Sequence, residues 1–100
     1  MAKTRDLIIA DIDGHIGNNG ADFGNWYVGI AASPRDRLFN DHNVSEKGDA
    51  WIFREATSGA VAREVENYFI DVKGTQGGAG GGDSSSRSVY AYKIKPHTRE

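Results

Sequence analysis

Residues 26–42 read WYVGIAASPRDRLFNDH, and this stretch decides the predicted fold. Residues 26–31 are apolar and rich in β-branched and aromatic side chains, which predicts a strand. Ser33 and Pro34 then predict a helix over 34–41, because serine is a favoured N-cap and proline fits the first helical position. The stretch is therefore expected to be a strand that leads directly into a helix.

The strand and the helix carry side chains that suit phosphate chemistry. Tyr27 lies on the predicted strand, Arg35 and Arg37 open the predicted helix, and His42 follows its end. A guanidinium can bind phosphate through two parallel hydrogen bonds, and a phenol or an imidazole can orient or deprotonate water. Each side chain also has a structural interpretation, with Tyr27 in the core, His42 at a helix end and the arginines on the surface.

The rest of the sequence predicts three further strands and one further helix. Strands are expected at 7–12, 50–56 and 89–94, where apolar and β-branched residues cluster or alternate. Thr57 or Ser58 is expected to cap the second helix. The predicted order is β-β-α-β-α-β, an α+β fold in which two helices pack against a small, mainly antiparallel sheet.

Two details of this prediction bear on function. The buried stripe of the second helix is predicted from residues that recur at helical spacing, Val61, Val65, Tyr68 or Phe69, and Val72, with Glu66 on its flank. Tyr90 and Tyr92 share one face of the last strand, where they either stack on bases or pack under a helix. Packing is the simpler expectation for both tyrosines.

Length and composition predict a single domain over 1–100. The chain has no cysteine, which excludes disulfides, thiolate metal sites and a cysteine nucleophile. Its net charge of −2 argues against a strongly basic DNA-binding surface. Glycine and serine dominate 74–88, which predicts a flexible segment, and 96–100 is expected to be a frayed tail. The sequence has neither a membrane-spanning run nor a signal peptide, so a cytoplasmic protein with no membrane partner is expected.

Three segments, taken in order, resemble the GIY-YIG nuclease superfamily. Tyr27-Val28-Gly29 is similar to the second half of the motif that names the family, and residues 34–38, PRDRL, resemble its first helix. Residues 62–70, AREVENYFI, resemble its second helix, where Glu66 takes the position of the family's metal-binding glutamate. The resemblance implies a protein that acts on nucleic-acid phosphodiester bonds with a divalent metal, expected to be Mg²⁺.

The resemblance also implies a role for individual residues. Arg37 would bind the scissile phosphate, with Arg35 as a second phosphate contact, and Glu66 would hold the metal. Tyr27 or His42 would orient or deprotonate the attacking water. The alternative for Glu66 is a solvated helix face, on which it pairs with Arg63.

The chain departs from the family pattern at two points. The predicted opening strand, 7–12, has no tyrosine where the family carries one. His42 follows Arg37 by five residues instead of four, and at about 100° per residue this separates the two side chains by about 140° on an α-helix. The predicted function is therefore an active nuclease or a weakened or inactive relative of one.

Two other classes of function stay open. One is a non-enzymatic module that binds a nucleotide, a nucleic acid or a protein, such as a phage or mobile-element accessory protein, and the other is a domain that self-associates through Trp51 and Phe53.

Overall fold

The computed structural model describes residues 2–77 and 86–100. In these residues helices and strands alternate along the chain, and the predicted α+β class is confirmed. The helices are α1 (Arg5–Asn18), α2 (Pro34–Asp36) and α3 (Gly59–Tyr68), and the strands are β1 (Trp26–Ala31), β2 (Trp51–Glu55) and β3 (Ser88–Lys93). Two of the helices continue into π-helical turns, Arg37–Asp41 after α2 and Phe69–Lys73 after α3.

The opening strand predicted at 7–12 is wrong, because these residues lie inside α1. Three isoleucines spaced by four residues are fully buried on one face of this helix: Ile8, Ile12 and Ile16. The row continues past Gly14, although Asp13-Gly14 is a pair that is also typical of turns. Thr4 caps the helix, since its side chain accepts a hydrogen bond from the Leu7 amide at 3.5 Å. The described residues therefore contain three strands and three helices in place of the predicted four and two.

The three strands form one antiparallel sheet in the order β1-β3-β2, with β3 in the centre. Successive side chains of a strand point to opposite faces, so the two faces of the sheet differ. One face packs against the buried sides of α1 and α3 through Val28, Ile30, Ile52, Val89 and Ala91. A second buried cluster lies on the opposite face, which we call the aromatic face: Tyr27, Ala31, Leu38, Val44, Tyr90 and Tyr92.

The second helix begins where the sequence predicted, and its buried stripe is confirmed at Val65 and Phe69 but differs elsewhere. Ser58 is the N-cap of α3, and its hydroxyl accepts from the Val61 amide at 3.1 Å. The buried residues of this helix and its π-helical turn are Ala62, Val65, Glu66 and Phe69. Val72 is 67% exposed, because the π-helical turn takes the residues after Phe69 off the α-helical spacing. Glu66, predicted on the flank, belongs to the stripe itself.

Residues 96–100, for which a frayed tail was predicted, lie against the end of the segment that follows α2. The Arg99 amide donates to the His42 carbonyl at 2.8 Å, and the Asn43 side chain donates to the His97 carbonyl at 2.9 Å. His97 also contacts Asp49, with 2.6 Å between Nε2 and the carboxylate. These contacts bring the last residues of the chain next to the aromatic face.

The segment predicted to be flexible, 74–88, is described at its two ends. The Gln76 amide donates to the Trp26 carbonyl at 2.8 Å, and the Val28 amide donates to the Gln76 carbonyl at 3.0 Å. Gln76 therefore extends the sheet beyond β1. Ser88 begins β3 at the other end. Residues 78–85 lie outside the described residues.

Candidate functional site

Four aromatic rings meet on the aromatic face, and we call them the tyrosine–histidine cluster. Tyr27 lies on β1, His42 follows the π-helical turn after α2, and Tyr90 and Tyr92 lie on β3. The Tyr27 ring centroid is 4.7 Å from that of His42 and 5.3 Å from that of Tyr92. The His42 centroid is 5.4 Å from that of Tyr90 and 4.9 Å from that of Tyr92. All four residues are buried.

Gly29 makes room for the Tyr90 side chain. It lies directly opposite Tyr90 in the register between β1 and β3. A Cβ atom at Gly29 would lie 2.6 Å from the Tyr90 hydroxyl oxygen and 2.7 Å from Cζ. Both distances are far below the separation of about 3.5–4.0 Å at which non-bonded carbon atoms pack well. The glycine of the Tyr27-Val28-Gly29 motif is therefore required by packing.

His42 is hydrogen-bonded through both ring nitrogens. Nδ1 lies 2.6 Å from the Arg99 carbonyl oxygen, and Nε2 lies 2.8 Å from the Tyr90 hydroxyl. Because a carbonyl oxygen only accepts, the hydrogen-bond network assigns the proton to Nδ1, and Nε2 accepts from Tyr90. Burial lowers the pKa of His42 below its usual 6.5, so the ring is neutral at pH 7. A neutral base thus presents its lone pair to the Tyr90 hydroxyl.

The neutral state of His42 predicts a loss of stability in mild acid. Because its pKa is lower in the folded protein, its contribution to the free energy of unfolding is present above the usual pKa of 6.5 and is lost as the pH falls through the folded-state value. Burial, aided by Arg54, lowers the pKa of His15 as well, with the same sign. Each histidine changes stability by at most about 1.4 kcal/mol per pH unit.

Urea unfolding of the wild type and His42→Gln between about pH 7.5 and about pH 5 measures this effect. The variant should show the shallower loss of stability as the pH falls. Burial raises the pKa of Glu66, so its contribution to stability changes with pH in the opposite direction to that of His42. The effect of His42 is therefore taken from the difference between the slopes of the two proteins and not from the wild-type slope alone. Equal slopes in the two proteins would show that His42 is not held neutral by the fold.

Arg37 brings a positive charge to the cluster. Its Nε lies 3.4 Å from the Asp41 carboxylate, and its charge opposes the rise in the pKa of Tyr90. The side chain is 39% exposed, although Nε itself is buried. The Arg37 charge therefore acts on the Tyr90 hydroxyl while the phenol proton is donated to His42.

The predicted separation of Arg37 and His42 around the helix is wrong. It assumed α-helical geometry, whereas the segment after α2 is π-helical. The His42 amide donates to the Arg37 carbonyl at 2.8 Å, a hydrogen bond that spans five residues. Residues five apart are consequently one turn apart, and both side chains reach Tyr90.

Glu66 is buried on α3, with 1% of its side chain exposed. One carboxylate oxygen, Oε1, accepts from Arg63 at 3.2 Å. The other, Oε2, is buried without a hydrogen-bond partner among the described residues. Burial raises the pKa of Glu66 although Arg63 lowers it. The pairing with Arg63 foreseen as the alternative is present, but the helix face is not solvated.

Burial raises the pKa of Tyr90 and of Tyr92 far above the usual value for a phenol. Tyr27 and Glu66 add to the shift at Tyr90, and Arg37 opposes it. At Tyr92 the neighbouring Glu100 adds to the shift, because the hydroxyl donates to its carboxylate at 3.0 Å. Both phenols stay protonated at neutral pH, so they act as hydrogen-bond donors and not as phenolates.

Arg35, predicted as a second phosphate contact, lies elsewhere. It pairs with Glu46, and its guanidinium carbon lies 5.1 Å from the centroid of the Phe39 ring. The structure thus brings together Tyr27, Arg37 and His42, and places Glu66 within the electrostatic reach of Tyr90. The sequence analysis missed Tyr90 and Tyr92 as members of this site. Their alternation with buried residues on β3 was the available signal, but it also fits ordinary packing.

Glu66 also decides whether a metal ion suits this site. In residues 2–77 and 86–100, no three histidine, aspartate or glutamate side chains are grouped so as to hold a metal by themselves. Mg²⁺, however, commonly uses one or two carboxylates and takes its other ligands from water and substrate phosphates. The unpartnered Oε2 of Glu66 is a carboxylate oxygen of this kind, but it is buried, so water and phosphate reach it only if the residues around it move.

Comparison with known proteins assigns no family to the chain. It matches no protein-family model, and no curated protein or solved structure is significantly similar to it. Within the described ranges, no helix has the length and apolar character needed to cross a bilayer. The resemblance to the GIY-YIG superfamily therefore stays a prediction.

Proposed function

We propose that the protein acts on nucleic-acid phosphodiester bonds through Tyr27, Arg37, His42, Glu66 and Tyr90. The observation that supports this function is the environment of the Tyr90 hydroxyl, which is hydrogen-bonded to His42 and influenced by the charge of Arg37. Glu66 lies on α3, which packs on the other face of the sheet, and it reaches Tyr90 only through its charge. Tyr90 is also a candidate for the second phenol that the resemblance expected on an opening strand, supplied by the last strand.

His42 is the general base in this proposal. The attacking water must lose a proton, and the Nε2 lone pair of the neutral ring is a suitable acceptor. The Tyr90 hydroxyl connects the two: the water proton passes to the Tyr90 oxygen as the proton of Tyr90 moves to Nε2. His42 becomes an imidazolium, while its Nδ1–H stays bonded to the Arg99 carbonyl.

Arg37 is the phosphate-binding residue. Its exposed part can donate to non-bridging oxygens, where negative charge increases as the water attacks. Tyr27 packs against the His42 ring and holds its orientation. Glu66 would hold Mg²⁺ through Oε2. The bound ion supplies charge stabilisation on the phosphate and on the leaving oxygen.

Cleavage of labelled single- and double-stranded oligonucleotides, with Mg²⁺ or with EDTA, tests this function. Wild-type protein should cleave in Mg²⁺ and not in EDTA. Arg37→Ala should cleave about 10²-fold more slowly, a typical result of removing one preorganised donor. Arg5→Ala is the matched control, because Arg5 is an exposed arginine on α1, on the other side of the sheet. It should cleave at the wild-type rate.

Two outcomes would contradict the proposal. Cleavage at the same rate in wild type and Arg37→Ala would remove Arg37 from the site. If the wild-type protein binds the oligonucleotides but does not cleave them with any of the metals tested, only the binding module remains.

A non-enzymatic binding module is the second candidate, and the burial of the cluster favours it. Tyr90 is 1% exposed, and Arg99 and Glu100 lie against His42 and Tyr92. Substrate reaches the buried Tyr90 hydroxyl only if the residues around it are displaced. If they are not, Arg37 binds phosphate at the surface without cleavage, which the same assay detects as binding alone.

A further inference from the structure

A second concave surface lies along β2, next to the tyrosine–histidine cluster. It begins as a cleft of about 570 Å³ whose walls include Lys3, Arg35, Phe53 and Arg54. An adjoining hollow of about 410 Å³ shares Arg35, Phe53 and Arg54 and adds Trp51. We call the combined surface of these five residues the basic–aromatic cleft.

The aromatic rings of this cleft form a platform along one strand. Trp51 and Phe53 are two residues apart on β2, so they share a face. Their ring centroids are 6.0 Å apart and their planes differ by only 9°. The Trp51 indole N–H donates to the Glu46 carbonyl at 2.9 Å, which fixes the ring in place. The two nearly parallel, partly exposed rings thus form a stacked pair at the surface.

The lining of the cleft itself carries more cations than carboxylates, although each cation also has a carboxylate partner nearby. Lys3, Arg35 and Arg54 line the cleft, and Glu55 is the acidic residue among the lining residues. The carboxylates that pair with these cations, Asp11 and Glu46, lie outside the lining. Each arginine carries five N–H donors, so one carboxylate partner leaves donors for a ligand.

We infer that the basic–aromatic cleft binds single-stranded nucleic acid. Unpaired bases stack on the exposed ring faces of Trp51 and Phe53. The phosphates contact Arg35 beside the rings, and Lys3 and Arg54 where the cleft passes the edge of β2. A duplex hides the faces of its bases inside its own stack, so it cannot use the two rings. This site is separate from the tyrosine–histidine cluster, and its occupancy does not require the proposed cleavage.

Fluorescence anisotropy with a labelled thymidine oligonucleotide of about ten nucleotides, in EDTA, tests this inference, because ten nucleotides lie within the usual site size for stacking platforms. The single strand should bind more tightly than a duplex of the same length. Phe53→Leu keeps an apolar side chain against the sheet but removes the ring, and should weaken binding at least fivefold. Arg35→Ala should reduce the slope of log K against log[salt] by about 0.7, the value for one single-strand phosphate.

The control variants change an arginine on α1 and an aromatic residue on α3. Arg5→Ala and Tyr68→Leu should bind as the wild type does, because both residues line a different hollow. Binding of Phe53→Leu that equals that of Tyr68→Leu would overturn the inference, and so would a preference for duplex. Preferential binding of single strands without cleavage would support this site and contradict only the proposed nuclease function. Cleavage without a preference for single strands would contradict only this site.

Discussion

Replacing Glu66 with glutamine is expected to abolish cleavage while leaving the protein as stable as the wild type, or more stable. Glutamine keeps the size of the side chain but loses the negative charge that would hold Mg²⁺. A metal that stabilises a phosphoryl transition state contributes several kcal/mol, which corresponds to about 10³-fold in rate. The cleavage rate in saturating Mg²⁺ measures this loss.

The expected gain in stability follows from the burial of Glu66. Its folded-state pKa is above the usual 4.5, so its contribution to stability is full below about pH 4.5 and is lost as the pH rises through the folded-state value. Above that value the wild type holds an unfavourable buried charge, which the glutamine variant lacks. The free energy of unfolding of the variant should therefore be at least that of the wild type at neutral pH, and any excess should shrink in acid, where Glu66 is protonated.

Glu64→Gln is the matched control, because Glu64 is an exposed glutamate on the same helix. It should leave both cleavage and stability unchanged. Glu66→Met removes the polar group entirely and should also lack activity without unfolding. A marked loss of stability in both Glu66 variants would mean that Glu66 serves the fold through its pair with Arg63, and retained cleavage would exclude it from metal binding.

Gly29→Ala is expected to destabilise the protein by about 1–3 kcal/mol, the usual cost of overpacking a buried site. The new Cβ would overlap the outer atoms of the Tyr90 ring, which has to move away from β1. Displacement of the ring would also break the hydrogen bond between the Tyr90 hydroxyl and His42 Nε2. Urea unfolding measures the loss of stability. This loss of stability should be seen even though alanine gives the unfolded chain less conformational freedom than glycine does, an effect that stabilises the folded protein by up to about 1 kcal/mol.

A double-mutant cycle attributes this loss to Tyr90. Leucine at this position lacks the hydroxyl and the outer ring atoms, so Gly29→Ala should cost much less in the Tyr90→Leu background than in the wild type. Gly14→Ala is the second comparison. A Cβ at Gly14 meets no atom within 4 Å, and alanine favours a helix over glycine by about 1 kcal/mol, so this change should stabilise the protein. A cost at Gly29 that is independent of Tyr90 would contradict the packing argument.

Residues 7–12 were predicted as a strand but form part of α1, which shows the limit of local sequence patterns. A six-residue apolar run fits either structure, because periodicity cannot separate the two over so short a length. Ile16 would have favoured a helix, since it extends the four-residue spacing of Ile8 and Ile12. Asp13-Gly14 hid this signal, because the pair is also typical of turns. Contact of the isoleucines with the sheet outweighs the weak helix propensity of glycine.

The candidate site was predictable only in part for a related reason. Tyr27, Arg37 and His42 lie within one strand–helix segment, so their neighbourhood follows from the local sequence. Tyr90 is 48 residues from His42 in the chain, and no short-range pattern connects them. The π-helical turn that brings Arg37 and His42 to the same side also has no clear signal in the sequence.

The sequence by itself determined the elements whose caps and periodicity are local. These are the strand at 26–31, the helix that starts at Pro34, the second helix after its Ser58 cap and the two remaining strands. Tertiary structure alone decided which strand lies in the centre of the sheet, which way Glu66 points and which tyrosine meets His42. These outcomes depend on burial and on contacts between distant residues, whose energies are set by the packed fold and not by the neighbours in the chain.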